Sequence, residues 1–358
     1  MPAINAEQKL KEYLKLVAQQ NASDLHLVVG RHPTIRLDGK LHPLENENIL
    51  TPADTAAIVQ VIISEENKKK LQTGGQADFS YSLEDKARFR VNAFFQQGRI
   101  SIAFRLIPKE IRTLKQLNIP EVLYDFTKYS QGLLLLVGPV GHGKSTTIAA
   151  LINEINHMQE KHIITIEDPI EYVFEQDRCI INQREIFQDS ESFSSALRAV
   201  FREDANVVLI GEMRDLETIS TAVTAAETGH LIFATLHTND APQTIDRIID
   251  VFPPHQQSQI RLQLSSCLLG VVSQRLIPKI DGGRVPALEI MIKNNAVENL
   301  IREGKTYQID NVIETSSNDG MITMDKYLAG LVDKGIITVD MATTYAKDRK
   351  NFRQFLKL

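Results

Sequence analysis

A chain of 358 residues, 43% hydrophobic and 24% charged, has the composition of a soluble globular protein with room for about two domains. Its net charge of −5 argues against wholesale nucleic-acid binding. No stretch approaches about 18 consecutive apolar residues, which excludes a membrane-spanning helix. The opening MPAINAEQKLKEYLKL lacks the apolar centre of a signal peptide, and Cys179 and Cys267 form no metal-type cluster. Both features fit a cytoplasmic protein with buried structural thiols.

Leu10, Tyr13, Leu14 and Val17 recur at helical spacing, so residues 5–20 are expected to form an amphipathic helix. In SDLHLVVGRHPTIRLDGKLHPL short alternating runs are broken by Gly30-Arg31, Pro33 and Asp38-Gly39, which are hairpin signals. A second helix is expected over 52–70, started by Thr51-Pro52 and ended by a lysine run. The segment ADFSYSLEDKARFRVNAFFQQGRISIAFRLIP then reads as three or more strands. Within it Arg88 and Arg90 stand two apart and share one strand face, and Arg105 follows at the next strand's end. Arginines clustered there suit an anion such as a nucleotide phosphate; surface salt bridges are the plainer alternative. These elements make a small α+β domain over residues 1–112, and the stretch with Pro108 and Pro120 suggests a linker at 113–122.

From residue 123 to 358 helices and strands alternate. Apolar strands are expected at 133–137, 162–167, 207–210 and 231–235, which predicts an α/β domain with a parallel-rich sheet and a helical C-terminal region. In such sheets ligands bind at the carboxyl ends of the strands. The first strand runs into Gly138, Pro139, Val140, Gly141, His142, Gly143, Lys144, Ser145 and Thr146, with the G-x-x-x-x-G-K-S spacing of a P-loop. Its glycines let backbone N–H groups converge on a phosphate, and the helix expected over 147–155 adds its positive end. Lys144 would neutralise β- and γ-phosphate charge, while the Ser145 hydroxyl would ligate Mg²⁺. ATP and Mg²⁺ are therefore the expected cofactors. His142 fills a variable position where a small residue is usual, one at which the ring can point outward without harming the loop.

Three further clusters sit near strand ends. In EDPIEYV, Glu167 and Asp168 precede Pro169, with Glu171 beyond it. Glu167 beside a P-loop suits orientation or deprotonation of water, although Asp168 could simply cap a turn. NVVLIGEM resembles a Walker B strand whose acid, Glu212, would hold Mg²⁺ directly or through water. ETGHLIFATLHT places His230 and His237 on either side of a strand, which suggests a γ-phosphate sensor. No third ligand is spaced to make them a metal centre.

These motifs, in this order, resemble the secretion-type ATPase superfamily that powers type II secretion and type IV pili. The resemblance runs through ASDLHL (22–27), RFRVNAF (88–94), GPVGHGKSTT (138–147), ITIEDPIEYV (164–173), INQRE (181–185), LIGEMRDLETI (209–219), AAETGHLIFATLHT (225–238) and IDRIIDVFP (245–253). It implies a PAS-like N-terminal domain and a RecA-like ATPase domain assembled as a homohexamer. It also implies a catalytic set of Glu167, Glu212, Lys144, His230, His237, Arg88, Arg90 and Arg105. Within the superfamily the chain is similar to the pilus-retraction branch. The tetracysteine module of extension and secretion relatives is absent, since only Cys267 lies in that region. AVENLIRE at 296–303 resembles that branch's C-terminal box, with Glu298 in place of an arginine. The closing FRQFLKL is also similar to an accessory retraction paralogue. The implied partners are a PilC-like inner-membrane pilus platform protein and, indirectly, pilin, with no nucleic acid. A related DNA-translocating ring and a non-motor regulatory ATPase remain alternatives.

Overall fold

A computed structural model of the chain describes residues 6–20, 22–37, 39–83, 87–107 and 110–356, and divides it into two units, Met1–Glu110 and Ile111–Leu358. Asp38 of the expected hairpin turn and Pro108 of the expected linker lie outside the described residues.

The first unit contains α1 (Ala6–Gln19), β1 (Asp24–Leu27), β2 (Thr34–Leu37), β3 (Lys40–Pro43), α2 (Pro52–Ile62), α3 (Glu65–Gly74), β4 (Gln76–Leu83), β5 (Ala87–Gln96) and β6 (Arg99–Ile107). Its six strands form one antiparallel sheet in the order β3-β2-β1-β6-β5-β4. Helix α1 buries Leu10, Tyr13, Leu14 and Val17, the four positions its spacing selects. They join Leu25, Phe89, Val91 and Phe104 in the core on one sheet face. The helix expected over 52–70 is two helices. Thr51 caps α2 with a capping box, but Ile63 is extended (φ −92°, ψ 134°) and the Ser64 hydroxyl caps a new start by accepting from the Asn67 N–H. The lysine run lies inside α3, which ends at the left-handed Gly75.

The second unit contains α4 (Val122–Asp125), β7 (Gly132–Val137), α5 (Lys144–Met158), β8 (His162–Glu167), β9 (Ile180–Glu185), α6 (Phe193–Val200), β10 (Val207–Ile210), α7 (Leu216–Glu227), β11 (Leu231–Leu236), α8 (Ala241–Asp250), α9 (Pro254–Cys267), β12 (Leu268–Pro278), β13 (Arg284–Ile292), α10 (Asn295–Glu303), α11 (Ile309–Thr315), α12 (Met324–Asp333), α13 (Val339–Tyr345) and α14 (Arg349–Phe355). The sheet order is β13-β12-β7-β11-β10-β8-β9, parallel throughout except for the antiparallel edge strand β13. Leu133, Leu135 and Val137 face one hydrophobic cluster, while Leu134 and Leu136 face another that includes α5. A strand covered on both sides must be apolar at every position, which is why β7 shows no alternation. Strands β9, β12 and β13 are additional to the four expected. The segment 113–122, expected as a linker, packs into this unit: Leu114 and Ile119 are buried in the same cluster as α5.

Among the described residues, no helix is long and apolar enough to cross a membrane.

Candidate active site

The P-loop joins β7 to α5, and two of its glycines are required by space and by backbone geometry. A Cβ on Gly138 would lie 2.4 Å from the Gln274 carbonyl oxygen of β12. Gly143, the N-cap of α5, is left-handed at φ 80°, and a Cβ there would lie 3.0 Å from the Gln274 side chain. Ser145 and Thr146 follow Lys144 in the first turn of α5, and the Thr146 hydroxyl is 2.8 Å from the Tyr172 hydroxyl. Val140, at the loop's tip, is 80% exposed.

His142, whose ring could have pointed outward, is turned toward β12. Its Nδ1 accepts from the Leu276 N–H at 2.9 Å, while its carbonyl accepts from Gln274 Nε2 at 2.8 Å. Gln274 Oε1 in turn accepts from the Thr147 hydroxyl at 2.8 Å. Burial, with Arg275, Lys144 and Arg284 nearby, lowers the His142 pKa and keeps the ring in the neutral form that this bond needs.

Lys144 is 6% exposed, and its ammonium donates to Gly138 O (2.7 Å), Pro139 O (3.0 Å) and His237 Nδ1 (3.2 Å). Burial lowers its pKa, against the pull of Glu212 and Glu171. Because an ammonium can only donate, His237 Nδ1 accepts, and its Nε2 carries the proton toward Glu212 Oε1 at 3.3 Å. Glu212 Oε2 accepts from Arg214 at 2.6 Å. Burial pushes the Glu212 carboxyl upward, but Arg214 and His237 hold it below its ordinary value. Lys144, His237, Glu212 and Arg214 thus form one chain from the P-loop to the end of β10. Gly211 separates the strand from the acid, which stands two residues past Ile210, and a side chain at Gly211 would press on Ile166 O at 3.2 Å and Glu167 Cα at 3.3 Å.

Glu167 ends β8 and is 8% exposed. Its Oε1 accepts from the Thr165 hydroxyl at 2.6 Å and from Gln183 Nε2 at 3.3 Å, and its Oε2 from the Glu171 N–H at 3.4 Å. Burial raises its pKa to about 7, and these three bonds oppose the rise. A carboxylate poised near neutrality can take a proton from water, and Glu167 ends β8 at the same carboxyl edge of the parallel sheet from which the phosphate loop leaves β7.

His230 does not join this group. It stands at the start of β11, where Leu231 pairs with Gly132 at the start of β7, while Leu236 pairs with Val137 next to the P-loop. Its Nδ1 is 3.1 Å from the Ala225 carbonyl, and Phe201 packs against the ring edge to face at 5.6 Å. A seven-residue step along a strand spans about 23 Å, so His230 and His237 lie at opposite ends of the sheet.

The three arginines lie on the first unit. Arg90 of β5 is directly opposite Arg105 of β6, and Arg88 is two residues along the same strand. Arg105 Nε donates to Asp24 Oδ1 at 2.9 Å, and Arg36 Nε is 3.6 Å from Asp24 Oδ2. The Arg105 side chain is still 69% exposed. Asp24 therefore orients a cation without burying it.

Among the described residues, no group of three or more His, Cys, Asp and Glu side chains is arranged to hold a metal ion. Ser145, in the first turn of α5, and Glu212, past the end of β10, carry the oxygen donors that suit Mg²⁺, a hard cation that ordinarily takes one or two protein oxygens and completes its shell with water and phosphate.

Comparison with known proteins adds the following. The family model described as type II/IV secretion system protein matches residues 4–324. The chain is 46% identical to the type IV pilus retractation ATPase PilT of Pseudomonas aeruginosa, over 96% of this chain and 99% of that protein. It is 36% identical to the type IV pilus ATPase PilU of the same organism, over 98% of this chain and 92% of the relative. A crystal structure of the pilus retraction motor PilT with bound ADP superposes with a TM-score of 0.90 at 46% identity, covering 96% of this chain and 99% of that one.

Proposed function

The chain belongs to the type II/IV secretion system protein family, and on that premise we propose that it is an ATP-hydrolysing motor of type IV pilus retraction. The supporting observation is the 46% identity to PilT along nearly the whole of both chains. The accessory role of a PilU-like ATPase is the second reading, favoured by the 36% match to PilU and by the closing FRQFLKL.

In this reading the backbone of residues 138–146 cradles the phosphates of ATP at the N-terminus of α5. Lys144 exchanges the carbonyls of Gly138 and Pro139 for phosphate oxygens, which need its positive charge more. A bound Mg²⁺ would supply Lewis-acid neutralisation of the β- and γ-phosphates. Ser145 would hold the ion directly. Glu212 would do so through water, since both its oxygens already face His237 and Arg214. Glu167 accepts the proton of the attacking water. His237, joined to both Lys144 and Glu212, reports the state of the phosphate site to the loop before α8. Arg88, Arg90 and Arg105 are the candidate cations for charge developing in the transition state. The assembly would be a homohexameric ring acting on a PilC-like platform protein of the inner membrane, and through it on pilin.

Purified protein should hydrolyse ATP with Mg²⁺ and stop when the ion is chelated, while remaining folded. Lys144→Ala should lower turnover by at least about 100-fold. Normal ATPase activity in that variant would sink the assignment of the P-loop as the working site.

A further inference from the structure

Gln183 lies at the centre of β9, the parallel neighbour of β8, directly opposite Thr165. Residues paired across a sheet point to the same face, and so do residues two apart on one strand. Thr165, Gln183 and Glu167 are therefore grouped by register alone. Their hydrogen bonds converge: the Thr165 hydroxyl and Gln183 Nε2 both donate to Glu167 Oε1, at 2.6 and 3.3 Å. Gln183 Nε2 also donates to Tyr172 O at 2.7 Å, and Gln183 Oε1 accepts from the Phe174 N–H at 3.0 Å. One amide side chain thus binds the carboxylate and the segment that follows it. Among the described residues, Oε2 accepts only the long bond from the Glu171 N–H, at 3.4 Å.

We propose that Gln183 is a positioning residue for hydrolysis, fixing Glu167 through Oε1 so that Oε2 is the oxygen that takes the proton from the attacking water. This rests on the reading of Glu167 as the general base. A glutamate side chain left to itself samples several rotamers, and catalysis by proton transfer requires one orientation. Two donors on one oxygen supply that orientation without consuming the other.

Gln183→Met keeps the length of the side chain and removes both polar atoms. Its kcat should fall roughly 10- to 100-fold, with the Kd for a fluorescent ATP analogue changed less than about threefold. In a Glu167→Gln background the same substitution should lower residual turnover by less than about twofold, because it acts through a carboxylate already removed. Gln183→Glu keeps the acceptor for the Phe174 N–H and places a second carboxylate against Glu167. It should match Gln183→Met in kcat and melt cooperatively, at a Tm lowered by the like charge at Glu167 and the unpaired Tyr172 carbonyl, and it serves as the test should Gln183→Met fail to fold. A kcat within twofold of wild type in Gln183→Glu, or losses that multiply with Glu167→Gln, would overturn the proposal. Wild-type turnover in Glu167→Gln alone would instead remove the general-base reading on which it stands.

Discussion

At Glu167 burial and hydrogen bonding pull in opposite directions, and burial wins, leaving the carboxyl with a pKa of about 7. As a base it works only when ionised, so kcat should climb with pH through that value, about tenfold per unit on the acid side, and level off above pH 8. Glu167→Gln should still bind ATP and hydrolyse it poorly, with the acid limb gone from its residual pH profile; a large loss of binding would mark a structural role instead. His142 offers a second test at this scale. His142→Ala removes the bond from the Leu276 N–H and should raise KM for ATP several-fold with little change in kcat, measured by steady-state kinetics. The positions of the phosphate loop, Glu167 and Glu212 at or just past strand ends were legible in the sequence because each lies in a contiguous motif. Gln183, Gln274, Thr165 and Arg214 were not read as site residues. The first two reach the site through strand register, which a linear motif does not display. The placement of His142 was not legible because its partner, the backbone of Leu276, is 134 residues away.

Elements were legible where periodicity was strong and less so where a single cap decided the outcome. The helix expected over 52–70 breaks at Ile63 because the Ser64 hydroxyl offers the backbone a second start. His230 was grouped with His237 although a strand separates them; the six residues of β11 were themselves the signal that the two lie at opposite ends. The C-terminal helices close over β12 and β13 with their own apolar cluster, and Lys347, between α13 and α14, reaches Asp240 at 3.2 Å and Asp310 at 2.8 Å. Asp240 caps α8 just beyond the His237 loop, so this lysine ties the chain's end to the phosphate side of the sheet. Nearby Glu289 of β13 is 2% exposed and accepts from the Ala241 N–H; burial raises its pKa to about 7 although Lys347 opposes the rise. Between the ordinary carboxylate value and 7 the folded chain binds more protons than the unfolded one, so this group makes stability fall as pH rises through that window. Glu289→Gln should therefore raise the Tm of the second unit at pH 8 and leave it nearly unchanged at pH 5, by calorimetry. An equal shift at both pH values would contradict the buried-acid account.

For the molecule as a whole, two architectures share the chain: an antiparallel sheet that displays arginines and a parallel sheet that carries the phosphate loop. The net charge of −5 argues against wholesale nucleic-acid binding but leaves room for a local group of arginines such as Arg90 and Arg105, which stand opposite each other on one sheet. The central claim is that hydrolysis at Lys144 and Glu167 drives pilus retraction, and live imaging of labelled pili tests it most directly. Cells lacking the gene should accumulate surface pili that no longer shorten, with retraction restored by the wild-type chain and not by Lys144→Ala. Unchanged shortening in the deletion strain, or full rescue by Lys144→Ala, would contradict the account.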